Sequence, residues 1–200
     1  MEEQQKKSTA EVLVECLKEE GVDTIFGIPG EETLDLMFAI KKSGIHFIDT
    51  RHEQGAAFMA DVYGRLTGKA GVCLSTLGPG ATNLVTGVAD AFLDGSPLVA
   101  ITGQVGTDQM QLTSHQYLDL TTMFAPITKR TKQIIRPDTV AEITRLAFKY
   151  AENEKPADVA PLKKQEKLVE YASRKAVEAA SELIKQAKVP VILAGNGAVR

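Results

Sequence analysis

A repeated change of hydrophobic period constrains this chain more than any other feature. Over the first 105 residues, short apolar runs alternate four times with segments whose apolar residues recur at helical spacing. Ser8-Thr9-Ala10-Glu11 has the form of a capping box; Val12, Leu13, Cys16 and Leu17 follow it, and Gly21 closes the helix. A strand is expected at Thr24–Gly27, then the turn Ile28-Pro29-Gly30 and an acidic helix start at Glu31-Glu32, with the helix running to Gly44. A strand at Ile45–Thr50, a helix from about Gln54 to Thr67, a strand at Gly71–Thr76, a helix from about Ala81 to Leu93 and a strand at Leu98–Thr102 complete the pattern. Such alternation with short connections implies an α/β fold, a three-layer αβα sandwich around a mainly parallel sheet. The unbroken apolar run Leu98–Ile101 suits a strand buried on both faces. Ligands of such sheets bind outside the carboxyl ends of the strands, so the residues just after each strand are the candidates for function.

Composition narrows the classes. With 23 Lys and Arg against 26 Asp and Glu, the net charge is −3, which argues against a general nucleic-acid binder. No apolar stretch approaches the length of a membrane span, and Met1-Glu2-Glu3-Gln4-Gln5 lacks the apolar core of a signal peptide, so a cytoplasmic protein is expected. Cys16 and Cys73 have neither metal-ligand nor redox spacing and read as two buried thiols. Beyond Gly103 the pattern loosens. Residues 103–116 read as a polar, glycine-bearing loop, and Pro137-Asp138 opens a helix to about Glu152. Residues 153–170 mix prolines with dense charge, as a linker does. A helix is then expected over roughly Ser173–Gln186, and Val189–Gly197 reads as the first strand and turn of a second α/β domain.

Two post-strand segments carry chemistry. Glu53 opens the helix Gln54-Gly55-Ala56-Ala57, where the positive helix end favours a carboxylate and burial acts against it; pairing with Arg51 or His52 is the plain alternative. Gly78-Pro79-Gly80-Ala81-Thr82-Asn83 resembles half of a dinucleotide fingerprint with Asn83 in place of the third glycine; it is either a ligand loop or a tight strand–helix turn. No His, Asp and Glu cluster at metal-ligand spacing, no nucleophile elbow and no Walker loop is present.

Taken in order, Phe26-Gly-Ile-Pro-Gly30, Arg51-His-Glu-Gln-Gly-Ala-Ala57, Gly78-Pro-Gly-Ala-Thr-Asn83, Asp94-Gly-Ser-Pro97 and Thr102-Gly-Gln-Val105 strongly resemble the acetolactate synthase family of thiamine-diphosphate enzymes. The resemblance covers about residues 8–150. It implies a pyrimidine-binding domain over 1–155, a linker over 156–172 and the truncated start of a middle domain over 173–200. It also implies that Glu53 hydrogen-bonds the aminopyrimidine ring of thiamine diphosphate and promotes its imino tautomer, in a pocket lined by Gly27, Pro29, Gly30, Thr76, Pro79, Gly80 and Asn83. The family's active-site glutamine falls on Gln111 or Gln116, and the spacing to Val105 and Pro126 favours Gln116; Gln104 belongs to the Gly-Gln-Val segment itself. His115 before Gln116 resembles the catabolic, flavin-independent members, so FAD is not expected, and His115 and Gln116 would line the substrate pocket.

The resemblance further implies pyruvate as substrate, a homodimer or tetramer with the active site shared between subunits, and Mg²⁺ held by a domain outside this chain. This chain alone is then expected to be inactive. The family's pyrimidine domain closes with a further apolar strand, whereas here Lys155-Pro-Ala-Asp-Val-Ala-Pro161 runs straight into the linker, which would leave a sheet edge open. Competing readings are an oxalyl-CoA decarboxylase type of enzyme, a glyoxylate carboligase (disfavoured by Glu53), a nucleotide-binding Rossmann protein, and a non-catalytic α/β interaction module.

Overall fold

A computed structural model of the chain describes residues 7–110 and 114–153, together with Glu178, Ser181, Glu182, Lys185 and Gln186. The chain divides into two compact units, Met1–Pro156 and Ala157–Arg200. In the second unit the five described residues are helical, with Lys185 Nζ 3.8 Å from Glu182 Oε2. The expected linker and the Val189–Gly197 strand lie outside the described residues.

The first unit is built on four parallel strands in the order β2-β1-β3-β4, with β1 at Thr24–Gly27, β2 at His46–Asp49, β3 at Gly71–Ser75 and β4 at Leu98–Thr102. Helices cover both faces, so the three-layer α/β expectation holds. On one face, α1 (Thr9–Glu19), α2 (Leu34–Ser43) and α7 (Val140–Glu152) pack Val14, Leu17, Ile40 and Phe148 over Ile25, Val72 and Leu74. On the other, α3 (Glu53–Thr67), α5 (Val85–Asp94) and α6 (Leu120–Phe124) pack Ala56, Ala57, Ala60, Val88 and Phe124 around Cys73. The small side chains of α3 bring its backbone close to the sheet: a Cβ at Gly71 would lie 1.9 Å from the carbonyl oxygen of Ala60.

The capping box forms as its sequence requires. Ser8 Oγ accepts from the Glu11 N–H at 3.2 Å, and the Ser8 N–H donates to Glu11 Oε2 at 2.8 Å. Gly44, Gly68 and Gly95 end α2, α3 and α5 in the left-handed conformation. Three expectations need correction. The helix expected from Ala81 to Leu93 begins earlier, at Pro79, and is broken at Leu84 into α4 (Pro79–Asn83) and α5; proline at the first helical position starts the turn directly after Gly78. The stretch after the polar loop contains α6 and a 3₁₀ turn at Ala125–Ile127, with Asp119 as the cap. Of the two thiols only Cys73 is buried, its pKa pushed up to about 12 by desolvation; Cys16 is half-buried because it lies beside the core stripe of α1. No helix among the described residues is long and apolar enough to cross a membrane.

Candidate functional site

The strand order places a switch point between β1 and β3. The chain leaves β1 for α2 on one face and leaves β3 for α4 and α5 on the other, so a crevice opens between the two turns at their carboxyl ends. Gly27, Pro29 and Gly30 form one lip, and Thr76, Pro79, Gly80 and Asn83 the other.

Glu53 stands at the first position of α3, half-buried, with His52 capping the helix by accepting from the Gln54 N–H at 3.2 Å through Nδ1. Its hydrogen-bond partner is neither Arg51 nor His52. Asn83 Nδ2 donates to Glu53 Oε2 at 2.9 Å, which joins the post-β2 and post-β3 segments. A Cβ at Gly80 would lie 3.4 Å from Glu53 Oε1 and 2.7 Å from Thr76 Cγ2. A Cβ at Gly30 would lie 2.4 Å from Thr76 Cβ. The two glycines therefore flank Thr76 with bare backbone, and Glu53 Oε1 faces that narrow strip. Gly27 lies beneath, where a Cβ would meet the Leu74 carbonyl at 2.3 Å; Pro29 is exposed at the rim.

Gln116 and His115 reach the same lip from the other side of the loop. Gly78 adopts φ +50°, and a Cβ there would meet the Gln116 carbonyl oxygen at 2.4 Å; Gln116 itself has φ +51°. His115 is exposed and near enough to Glu32 for its charge to act on that carboxylate. Glu32 is a member of the cluster that sequence reasoning passed over as an ordinary acidic helix start. Thr76 Oγ1 donates to Glu32 Oε2 at 2.6 Å, and this bond, opposed by burial and helped by His115, holds the Glu32 carboxyl below its ordinary range. The signal available in the sequence was its position two residues after Gly30, but its partner lies 44 residues away. Gln104 is not part of the cluster. Its side chain donates to the Leu118 carbonyl at 2.9 Å and accepts from the Val105 N–H, tying the end of β4 to the loop. Gln111 lies outside the described residues. Among the described residues no three His, Cys, Asp or Glu are grouped to hold a metal ion.

A cavity of about 730 Å³ lies elsewhere, alongside β4; Glu53, Thr76, Gly80 and Asn83 do not line it. The crevice at the switch point therefore gathers the half-buried Gly30, the buried Gly80 and the half-buried, anchored Glu53 carboxylate around Thr76.

Residues 7–123 match the family model described as thiamine pyrophosphate enzyme, N-terminal TPP binding domain. Among curated proteins, the chain is 39% identical over 212 aligned positions to a probable acetolactate synthase large subunit of Methanocaldococcus jannaschii, covering 95% of this chain and 36% of that protein. It is 42% identical over 154 positions to a catabolic acetolactate synthase of Raoultella terrigena, covering 77% and 28% respectively. It is 36% identical over 221 positions to a probable 2-ketoarginine decarboxylase of Pseudomonas aeruginosa, covering 100% and 39%. The chain thus spans about a third of the length of these relatives. The 221-position match takes in all 200 residues of this chain, so at least about 20 residues of the relative have no counterpart here. The 212-position match, with 95% of the chain or 190 residues, shows a similar excess. The 154-position match uses 77% of the chain, also 154 residues, and needs no such gap.

Proposed function

Because the chain belongs to the thiamine pyrophosphate enzymes and carries their N-terminal TPP-binding domain, we propose that it is the pyrimidine-binding part of an acetolactate synthase-like enzyme that decarboxylates pyruvate and joins the two-carbon unit to a second 2-keto acid. The observation that carries this reading is Glu53, fixed by Asn83 at the switch point with Oε1 turned to the Gly80 backbone. The carboxylate suits a ring nitrogen: Asn83 takes Oε2 of Glu53 and leaves Oε1, while Gly30 and Gly80 bring bare backbone against the Thr76 side chain beside it. Thiamine diphosphate, when bound, supplies the electron sink into which a 2-keto acid loses its carboxylate.

The chain's own residues would then act as follows. Glu53 Oε1 holds a proton shared with the pyrimidine ring, and Asn83 keeps that carboxylate in place. Gly27, Pro29, Gly30, Thr76, Pro79 and Gly80 would line the pocket beside that carboxylate. Gln116 and His115 form the substrate-side rim. The diphosphate and its Mg²⁺ fall to a further domain, and FAD has no part. Residues 173–200 would begin the middle domain. An exposed stripe on α3, with Met59 at 47%, Val62 at 50% and Leu66 at 82% exposure, supports assembly with a second subunit that completes the half-site.

Glu32 favours a second reading. Its ionised carboxylate at the rim, beside Thr76, suits a 2-keto acid with a cationic tail, which agrees with the similarity to a probable 2-ketoarginine decarboxylase. The test is acetolactate formation by the full-length, flavin-free protein with thiamine diphosphate and Mg²⁺, compared with Glu53→Gln. Loss of about 10²- to 10⁴-fold is expected. Unchanged turnover in the variant would leave a non-catalytic module, and preference for a guanidinium-bearing 2-keto acid would select the second reading.

A further inference from the structure

We propose that the free edge of β4 is a strand-accepting slot, and that its occupant is one extended, apolar segment of a separate polypeptide, added to the sheet through main-chain hydrogen bonds. The inference is independent of the chemistry at Glu53. Among the described residues β4 pairs with β3 alone, although it lies in a parallel sheet covered by helices on both faces. The ladder is bounded by the Gly71 N–H donating to the Pro97 carbonyl and the Gly103 N–H donating to the Ser75 carbonyl. Residues 97, 99, 101 and 103 thus direct their backbone groups to β3, and the N–H and C=O groups of Leu98, Ala100 and Thr102 face the open side. All five residues of β4 are only half-buried, whereas all five of β3 are buried. A strand edge so placed is a template for another strand.

The cavity beside β4 has the form such a strand requires. One wall is β4 itself, Val88 and Phe124 close one face, Ile143 and Ala147 of α7 close the other, and the run 127–136 forms the far wall. An occupant would be apolar on both faces, as strands covered on both sides are. The far wall stands between β4 and any second β4 edge, so two copies cannot pair there directly. The longer matches require about 20 residues that this chain lacks, and the 154-position match has no such gap. A five-residue strand needs only about 17 Å of extended chain, well within that missing length. Arg130 and Lys132 on the far wall favour acidic residues flanking the apolar stretch.

The test is fluorescence anisotropy with the 200-residue chain and a labelled peptide of five alternating valine and alanine residues between paired glutamates. Saturable binding at about 100 μM or tighter is expected. The same peptide N-methylated at alternate residues should bind at least about tenfold more weakly, because only main-chain pairing is blocked. Ala100→Pro should weaken binding equally; it removes an outward N–H and leaves the β3–β4 ladder whole, as proline on an edge strand does. Absence of saturable binding, or equal binding of the N-methylated peptide, would overturn the proposal. So would a dimer that Ala100→Pro dissociates and peptide does not, which would give the edge to a second copy.

Discussion

The side-chain amide of Asn83 donates to Glu53 Oε2 at 2.9 Å, across 30 residues of sequence, and fixes the first turn of α3 to the last residue of α4. One carboxylate oxygen is thereby held and the other left toward Gly80. Asn83 is a positioning residue in this arrangement. Losing a hydrogen bond to a charged group costs about 1.5–3 kcal/mol, or roughly 10- to 100-fold. Asn83→Leu in the full-length protein should lower kcat by that range while KM for the 2-keto acid stays within about twofold. A purely structural role would instead lower the melting temperature and move both constants.

Arg65 should matter to stability more than any other exposed cation of the first unit. Its guanidinium reaches the buried Asp61 through Nε at 3.0 Å and Nη2 at 2.7 Å, and also bonds Asp90 and Asp94 on α5. Burial pushes the Asp61 carboxyl up, but the Arg65 and Ser96 hydrogen bonds and the Arg65 charge outweigh it and hold it below the ordinary value. Asp61 is 1% exposed, so Arg65→Met leaves a buried carboxylate without a cation beside it. A loss of about 3–5 kcal/mol in urea unfolding is expected. Replacing Asp61 and Arg65 together by apolar residues should recover most of it.

Acid should release α6 before the rest of the unit. Asp119 caps that helix by accepting from the hydroxyls of Thr121 and Thr122, at 2.6 Å each, and from the Thr122 N–H at 3.1 Å, and its pKa is lowered to about 2. The folded value lies below the unfolded one, so the contribution is complete above about pH 4 and is lost as pH falls from 4 toward 2. The melting temperature of Asp119→Asn should therefore vary less with pH across that window than that of the wild type. Equal slopes would show that the cap is not coupled to unfolding.

Thiol titration should separate the two cysteines. Cys73 is fully buried with its pKa pushed up to about 12; Cys16 is half-buried and raised by desolvation and then by Glu15, Glu20 and Glu19. One slow equivalent is expected from the native chain at pH 8, and two after denaturation. Two native equivalents would mean that the α3–β3 layer opens readily.

The local devices of this fold were legible in the sequence, and the long-range ones were not. Ser8 with Glu11, and the glycine at 44, announce helix ends because every partner lies within a few residues. The alternation of periods gave the layers, because each strand and helix must bury its own apolar face. Asp119 was available as a start signal for α6, but a helix of five residues is too short to show a period. The carboxylate at Glu53 was visible as a helix-start acid, and its link to Asn83 was not, because pattern reading carries no information across 30 residues. The Glu32–Thr76 bond escaped for the same reason, and an exposed glutamate beside another looks like a solvated helix start. Gln116 was implied by the family resemblance, with spacing choosing it over Gln111, and its position against Gly78 depends on the positive φ angles of both residues, which no motif announces.

The strand order has a kinetic consequence. The two lips of the crevice belong to β1 and β3, which are neighbours in the sheet, yet Ile25 pairs with Val72, 47 positions later, with α2, β2 and α3 in between. Closing so long a loop costs entropy before any contact rewards it, so this pairing belongs among the slow events of folding. The bond between Asn83 and Glu53 therefore forms only after this pairing, so the carboxylate gains its anchor late, when β3 and α4 are in place.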